Sequence, residues 1–120
     1  MSNQNHYPKQ SEIWLFNPDP VVGNELGYKP RPALIVSNNI VNQGPSNMVI
    51  IVPCTSQNKN VPSHIRIVPP EGGVKSISYA VCEQIRAISK ERLIKKYGKV
   101  DSHILKEVLE WLGDFTHPER

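Results

Sequence analysis

A mainly β domain is the architecture the sequence predicts: a small, strongly bent, mostly antiparallel sheet or barrel of five to seven short strands, with one C-terminal helix. Three observations lead there. Eleven prolines stand in 120 residues, ten of them before position 71, and proline removes a backbone donor and breaks helix interiors. The apolar residues of that front part fall in runs of four or five, bounded by Pro, Gly, Asn and Ser, as strands do. Helical spacing of apolar residues is confined to the end of the chain. At 38% hydrophobic and 21% charged, the chain is too apolar to be disordered throughout, and its length suits a single domain. No apolar run approaches the ~20 residues that a membrane-crossing helix needs. The opening MSNQNHYPKQ is polar and lacks the apolar stretch of a signal peptide, so a cytoplasmic protein is expected.

Residues 1–10 read as a loose tail ahead of one domain, 11–117. Ile13–Trp14–Leu15–Phe16 is a first strand, stopped by Asn17–Pro18–Asp19–Pro20. Val21 to Pro30 has two glycines and no helical period, a loop of a length that is more often functional than decorative. Ala33–Leu34–Ile35–Val36 reads as a buried strand closed by Ser37–Asn38–Asn39, and Gly44–Pro45 marks the next turn. Met48 to Val52 is the most apolar strand and delivers Pro53–Cys54–Thr55–Ser56 at its end. After a polar loop, Gln57 to Asn60, the stretch His64 to Val68 alternates as a half-exposed strand should. A hairpin-type turn at Pro69 to Gly73 leads to Ser78–Ile88, which reads as one long, bent strand. Ser89 suits the N-cap of a short helical turn, Lys90 to Ile94. Asp101 or Ser102 then caps a helix whose Ile104, Leu105, Val108 and Leu112 form one apolar stripe, with Trp111 beside it.

Several kinds of chemistry find no support. Cys54 and Cys82 each lie in an apolar stretch without closely spaced partners, as small buried hydrophobes of a reducing compartment do. His6, His64, His103 and His117 are far apart and form no metal-ligand spacing, so no metal and no cofactor are expected. Nucleophile-elbow and phosphate-cradling glycine patterns are missing, since Gly72–Gly73 follows two prolines and opens a strand. Charge is uneven. Arg86 to Lys99 carries six basic residues and one acid, whereas Val100 to Arg120 carries two bases and five acids. Such a basic block fits nucleic acid or an acidic protein segment as a partner, and equally a solvated face beside an acidic helix.

What remains is a set of polar residues at the ends of apolar strands. Arg31 stands between Pro30 and Pro32, whose rings limit the directions in which its side chain can leave the strand mouth. A guanidinium grips planar or phosphate oxyanions with two parallel hydrogen bonds. Thr55 and Ser56 place two hydroxyls at another strand end, and Glu83 and Gln84 interrupt a strand-like stretch. By residue type alone, each is also an ordinary surface or turn residue.

Read in order, the string EIWLFNPDPVVGNELGYKPRPALIVS, then VPCTS, then YAVCEQIRAISKERL, resembles the MazF/PemK (Kid-like) family of toxin endoribonucleases. The three blocks span Glu12 to Leu93. The resemblance implies a CcdB/PemK-like SH3-like barrel with a C-terminal helix, and a symmetric homodimer that cuts single-stranded RNA at short motifs without metal. It implies a cognate antitoxin whose acidic tail occupies the RNA groove; no membrane partner is expected, since no apolar run is long enough to span a bilayer. It places the active-site arginine on Arg31, its hydroxyl partner on Thr55 with Ser56 adjacent, and the acidic residue of the Cys-acid-Gln block on Glu83. Glu25 and Gln84 match positions that contact RNA or shape the site, and Arg86 heads the basic block counted with them. Three departures stand out. Ser11 occupies a position where the family usually has Gly. The stretch from Gly27 to Arg31 is one residue longer than in many relatives. Val81 stands where the Kid-like branch has an arginine, so that branch's full acid/base set is missing.

Metal-free cleavage of RNA uses the substrate's own 2′-OH as nucleophile on the adjacent phosphorus, which predicts RNA over DNA. Arg31 suits charge stabilisation on the phosphate, because a guanidinium is a poor base. Thr55 can donate to a non-bridging oxygen, and Glu83 is the candidate base. Bases splayed in a groove across the dimer would be stacked and read on their edges. Two other readings keep the same fold. One is a gyrase-inhibiting toxin like CcdB, although the chain ends Thr116–His117–Pro118–Glu119–Arg120 without the Trp-Gly-Ile ending of that group. The other is a catalytically inactive binding module that only accepts an antitoxin-like peptide.

Overall fold

The computed structural model describes residues 7–18 and 29–119. Its strands are β1 (Glu12–Phe16), β2 (Arg31–Ile35), β3 (Met48–Thr55), β4 (His64–Ile67), β5 (Ser78–Val81), β6 (Arg86–Ser89) and β7 (Leu93–Lys99). The described residues also form two α-helices, α1 (Asn39–Asn42) and α2 (Ser102–Phe115). The mainly β architecture with a closing helix is the expected one. Every strand pair is antiparallel, in the order β4-β5-β3-β2-β1-β7, with β6 also paired to β3.

Eight-residue β3 is the spine. Ile51 to Pro53 pair with β2 on one edge, while the other edge serves β6 through Met48–Ile51 and β5 through Cys54–Thr55. Pro53 falls between those two partners and is paired to neither, an irregular strand position of the kind that accepts proline. The stretch Ser78–Ile88 is therefore not one strand, as its alternation suggests. It is β5, a 3-10 turn at Cys82–Gln84, and β6, lying end to end along one edge of β3. Three steps along β3, from Cys54 to Ile51, face six steps from Ala80 to Arg86, so the surplus residues are extruded. That extrusion carries Glu83 and Gln84 out of the sheet.

Alternation along β2 buries both faces of the sheet. Leu34 joins Ile13, Val52 and Cys54 under β4, β5 and α2, which contributes Ile104 and Val108. Ala33 and Ile35 join Phe16, Val49, Ile51 and Ile88 on the opposite face. Asp101 is the N-cap of α2, accepting from the backbone N–H groups of His103 and Ile104 at 3.0 and 3.1 Å. Ser89 likewise caps a 3-10 turn at Lys90–Arg92, but the chain then continues into β7, a strand its lysines conceal. Lys95, Lys96 and Lys99 are exposed along β7, which among the described residues pairs with β1 alone; lysine on such an edge deters pairing with other chains. Lys96 also reaches the buried Glu12 at 3.0 Å, and the other carboxylate oxygen of Glu12 accepts from Trp14 Nε1. The helical turn α1 is unexpected too; the Asn38 side chain caps it by accepting from Ile40 N.

Among the described residues no ladder joins β7 back to β4 or β6, so the sheet curls shut by packing instead. Gly72 and Gly73, just after β4, press against Tyr97 and Gly98 of β7. A β-carbon on Gly73 would lie 2.1 Å from the Tyr97 carbonyl oxygen, and its φ of +71° already disfavours any side chain. Gly73→Ala is expected to lower the unfolding free energy by at least ~2 kcal/mol; an unchanged urea midpoint would refute this account of closure.

Ser11 has φ 83° while its backbone N–H and C=O bond Ile35 and Val100. Its conformation is the left-handed one that glycine takes freely. Ser11→Gly should relieve ~1–2 kcal/mol of strain, partly offset by the freedom glycine gains on unfolding. A net rise in thermal midpoint is expected, read by calorimetry, and a fall would show that the Ser11 side chain matters more than its backbone.

Candidate active site

The pairing of β2, β3, β5 and β4 sets the site. Directly paired residues share a face, and Thr55 pairs with Tyr79, which pairs with Arg66; Val81 pairs with His64. Continuing the Ala33↔Pro53 register by two residues sets Arg31 opposite Thr55. Residues between these, including Cys54, Ala80 and Ile65, turn into the core. The period of two along each strand thus sends Arg31, Thr55, Val81 and His64 to the face away from α2.

Arg31 is the first residue of β2 and pairs with Phe16 of β1. It is exposed, and among the described residues its guanidinium has no hydrogen-bond or ion-pair partner. Thr55 ends β3, half-buried, and its Oγ1 accepts from the backbone N–H of Gln57 at 3.2 Å, which leaves the hydroxyl hydrogen free to point outward. Glu83 sits on the extruded turn. Its Oε1 accepts from Ser63 Oγ at 2.9 Å and its Oε2 faces His64 Nε2 at 2.6 Å. Desolvation works against the ionised carboxylate, but the hydrogen bonds from His64, the Glu83 backbone N–H and Ser63, with the charge on His64, outweigh it and hold Glu83 below the usual carboxylate range.

A cleft of about 390 Å³ gathers Arg31, Thr55, Glu83 and Gln84, together with His64 and Lys59. A second, of about 300 Å³, holds Ser56 and shares Arg31, Cys54 and Thr55 with the first. Five of the seven residues singled out in the sequence therefore meet around Arg31 and Thr55. Arg86 does not: it opens β6 opposite Ile51, and neither cleft includes it or any other residue of the basic block. Glu25 lies outside the described residues. Cys54 and Cys82 are buried, and desolvation pushes both thiols up to about 12, so they remain protonated. Among the described residues no helix is long and apolar enough to cross a membrane.

Three participants escaped the sequence reading. By sequence His64 is the start of a half-exposed strand and a histidine without metal-ligand spacing; in the structure its side chain is 6% exposed and braces Glu83. Its Nδ1 is buried without a partner among the described residues. With Glu83 ionised, the Nε2 proton is assigned to the bond with Oε2. Ser63 and Lys59 complete the set. The usable signal was the hairpin: pairing His64 to Val68 with the strand after Ser78 brings His64 beside Val81, one turn from Glu83.

A guanidinium unpaired among the described residues, a hydroxyl donor and a braced carboxylate thus share one cleft of a small curled β domain, an arrangement whose chemistry suits a phosphodiester oxyanion. Residues 9–116 match the family of the PemK-like, MazF-like toxins of type II toxin–antitoxin systems, and the chain belongs to that family. It is 32% identical over 105 residues to "Endoribonuclease EndoA" of Bacillus subtilis (strain 168), covering 87% of this chain and 90% of the relative. Over 109 residues it is also 32% identical to "Endoribonuclease MazF9" of Mycobacterium tuberculosis, covering 87% and 92% of the two chains. Among solved structures, an endoribonuclease in complex with its cognate antitoxin from a Mycobacterial species shares the fold, with a TM-score of 0.72 at 21% identity over 94% of this chain and 99% of that one.

Proposed function

We propose that this chain is the toxin of a type II toxin–antitoxin pair, a metal-independent and sequence-specific endoribonuclease that cleaves single-stranded RNA in the cytoplasm. The observation that carries the reading is Arg31: an exposed guanidinium, unpartnered among the described residues, in one cleft with Thr55 and Glu83. The family and the names of the two curated relatives point the same way.

The substrate's 2′-OH attacks the adjacent phosphorus, a 2′,3′-cyclic phosphate forms as the P–O5′ bond breaks, and the 5′ oxygen leaves as a hydroxyl with a proton taken from solvent water. Arg31 holds the non-bridging oxygens, whose charge grows in the transition state, and Thr55 donates to one of them. Glu83 takes the 2′ proton. Its low pKa keeps it ionised but makes it a weak base, so the charge stabilisation by Arg31 carries the larger share of the barrier reduction. Gln84 and Ser56 line the path of the flanking nucleotides, with Glu25 and Arg86 assigned to RNA contact by family resemblance. The chain acts as a homodimer, and an acidic segment of a cognate antitoxin masks Arg31 and Lys59.

Primer extension on a long RNA treated with the protein in EDTA tests this reading. Stops at one short recurring motif are expected; intact RNA, or cleavage that EDTA abolishes, would overturn it.

A further inference from the structure

The row that holds Arg31 and Thr55 does not stop at the cleft. Across the next two strands it continues through Tyr79 of β5, paired directly with Thr55, and Arg66 of β4, paired directly with Tyr79. Ser78 and Ala80 on either side of Tyr79 are buried, as are Ile65 and Ile67 around Arg66, so both side chains project on the same face as Thr55. Tyr79 is half-buried and Arg66 exposed. Among the described residues neither side chain has a hydrogen bond, ion pair or ring contact. Adjacent strands lie about 4.8 Å apart, so an aromatic ring and then a second guanidinium follow the catalytic hydroxyl at regular intervals.

We propose that Tyr79 and Arg66 form a second RNA subsite, in which a base flanking the cleavage point stacks on the Tyr79 ring and Arg66 holds the phosphate beyond it. The proposal rests on the ribonuclease reading above. An aromatic face accepts any base and a guanidinium any phosphate, so the subsite supplies affinity and register, while other contacts read the motif. An acidic peptide would use the two arginines but gain little from the ring, and the ring is what singles out a nucleic acid here.

The test uses the full chain and a 2′-O-methyl oligonucleotide, which cannot be cut, spanning a motif mapped by primer extension. Tyr79→Leu keeps an apolar side chain but removes the ring face, and should weaken binding by about 5- to 100-fold, the worth of one stacked base. Tyr79→Phe should bind like the wild type. Arg66→Ala should weaken binding and flatten the dependence of log K on log salt by roughly 0.7, the share of one phosphate on a single strand. If Tyr79→Leu binds as tightly as the wild type while RNA is still cut, the subsite is wrong and the ribonuclease reading stands. Weakening by Arg66→Ala alone would also overturn it, leaving a general charge contact of the kind an acidic peptide could share. If the wild-type protein neither binds nor cuts RNA, both readings fall together.

Discussion

Replacing Arg31 with alanine is expected to cut kcat for RNA cleavage by ~10²–10³-fold, the usual effect of removing one preorganised oxyanion donor, while the protein remains folded. The fold should tolerate the change because the guanidinium is exposed and bonds nothing among the described residues. Its backbone, not its side chain, makes the pairing with Phe16. Arg31→Lys separates charge from geometry. Lysine restores a positive charge but cannot place two parallel donors against a phosphate, so only part of the loss should be recovered. The assay is single-turnover cleavage of a mapped substrate, with circular dichroism as the check on folding. Cleavage by Arg31→Ala within tenfold of the wild type would remove the assigned mechanism.

That Arg31 could be singled out at all follows from the prolines. Pro30 and Pro32 mark the mouth of β2, Pro53 marks the place where β3 changes partners, and polar residues next to such positions must leave the sheet. The apolar runs of β1, β2 and β3 and the stripe of α2 were legible for the same reason: each has a single dominant period. Strand β7 was not, because Lys95, Lys96 and Lys99 sit on an edge strand, where charge is favourable and the apolar pattern is diluted. The break at Cys82–Gln84 was hidden by β5 and β6 sharing one edge of β3, so that the alternation runs on as if a single strand filled it. Register is a property of pairs of strands, and one strand's pattern does not encode how many residues its partner extrudes. His64 was hidden for a related reason. Its partner, Glu83, lies 19 residues away, and only the β4–β5 register brings the two together.

The extruded turn yields the other large effect. Glu83→Gln keeps the shape and the contacts available to Ser63 and His64 but cannot accept a proton, and should lower kcat by about 10²-fold or more, with KM little changed. The pH dependence tests the same assignment independently. A base works only when ionised, so kcat/KM should fall on acidification through the Glu83 pKa, which lies below the ordinary 4.5. The bond and charge from His64 depress that value, so His64→Ala should move the acid limb upward, towards less acidic pH. The linkage to stability has the same sign: a carboxyl with a lowered pKa in the folded state stabilises above its unfolded pKa and loses that contribution as pH falls through the folded one. His64→Ala should therefore flatten the acid side of the stability profile and move the activity limb to higher pH together, because one rise in the Glu83 pKa produces both. A structural role for His64 alone would lower stability without moving the activity limb. An unmoved limb, with Glu83→Gln fully active, would take the proton transfer away from Glu83 and leave Arg31 and Thr55 as the whole of the catalytic apparatus on this face.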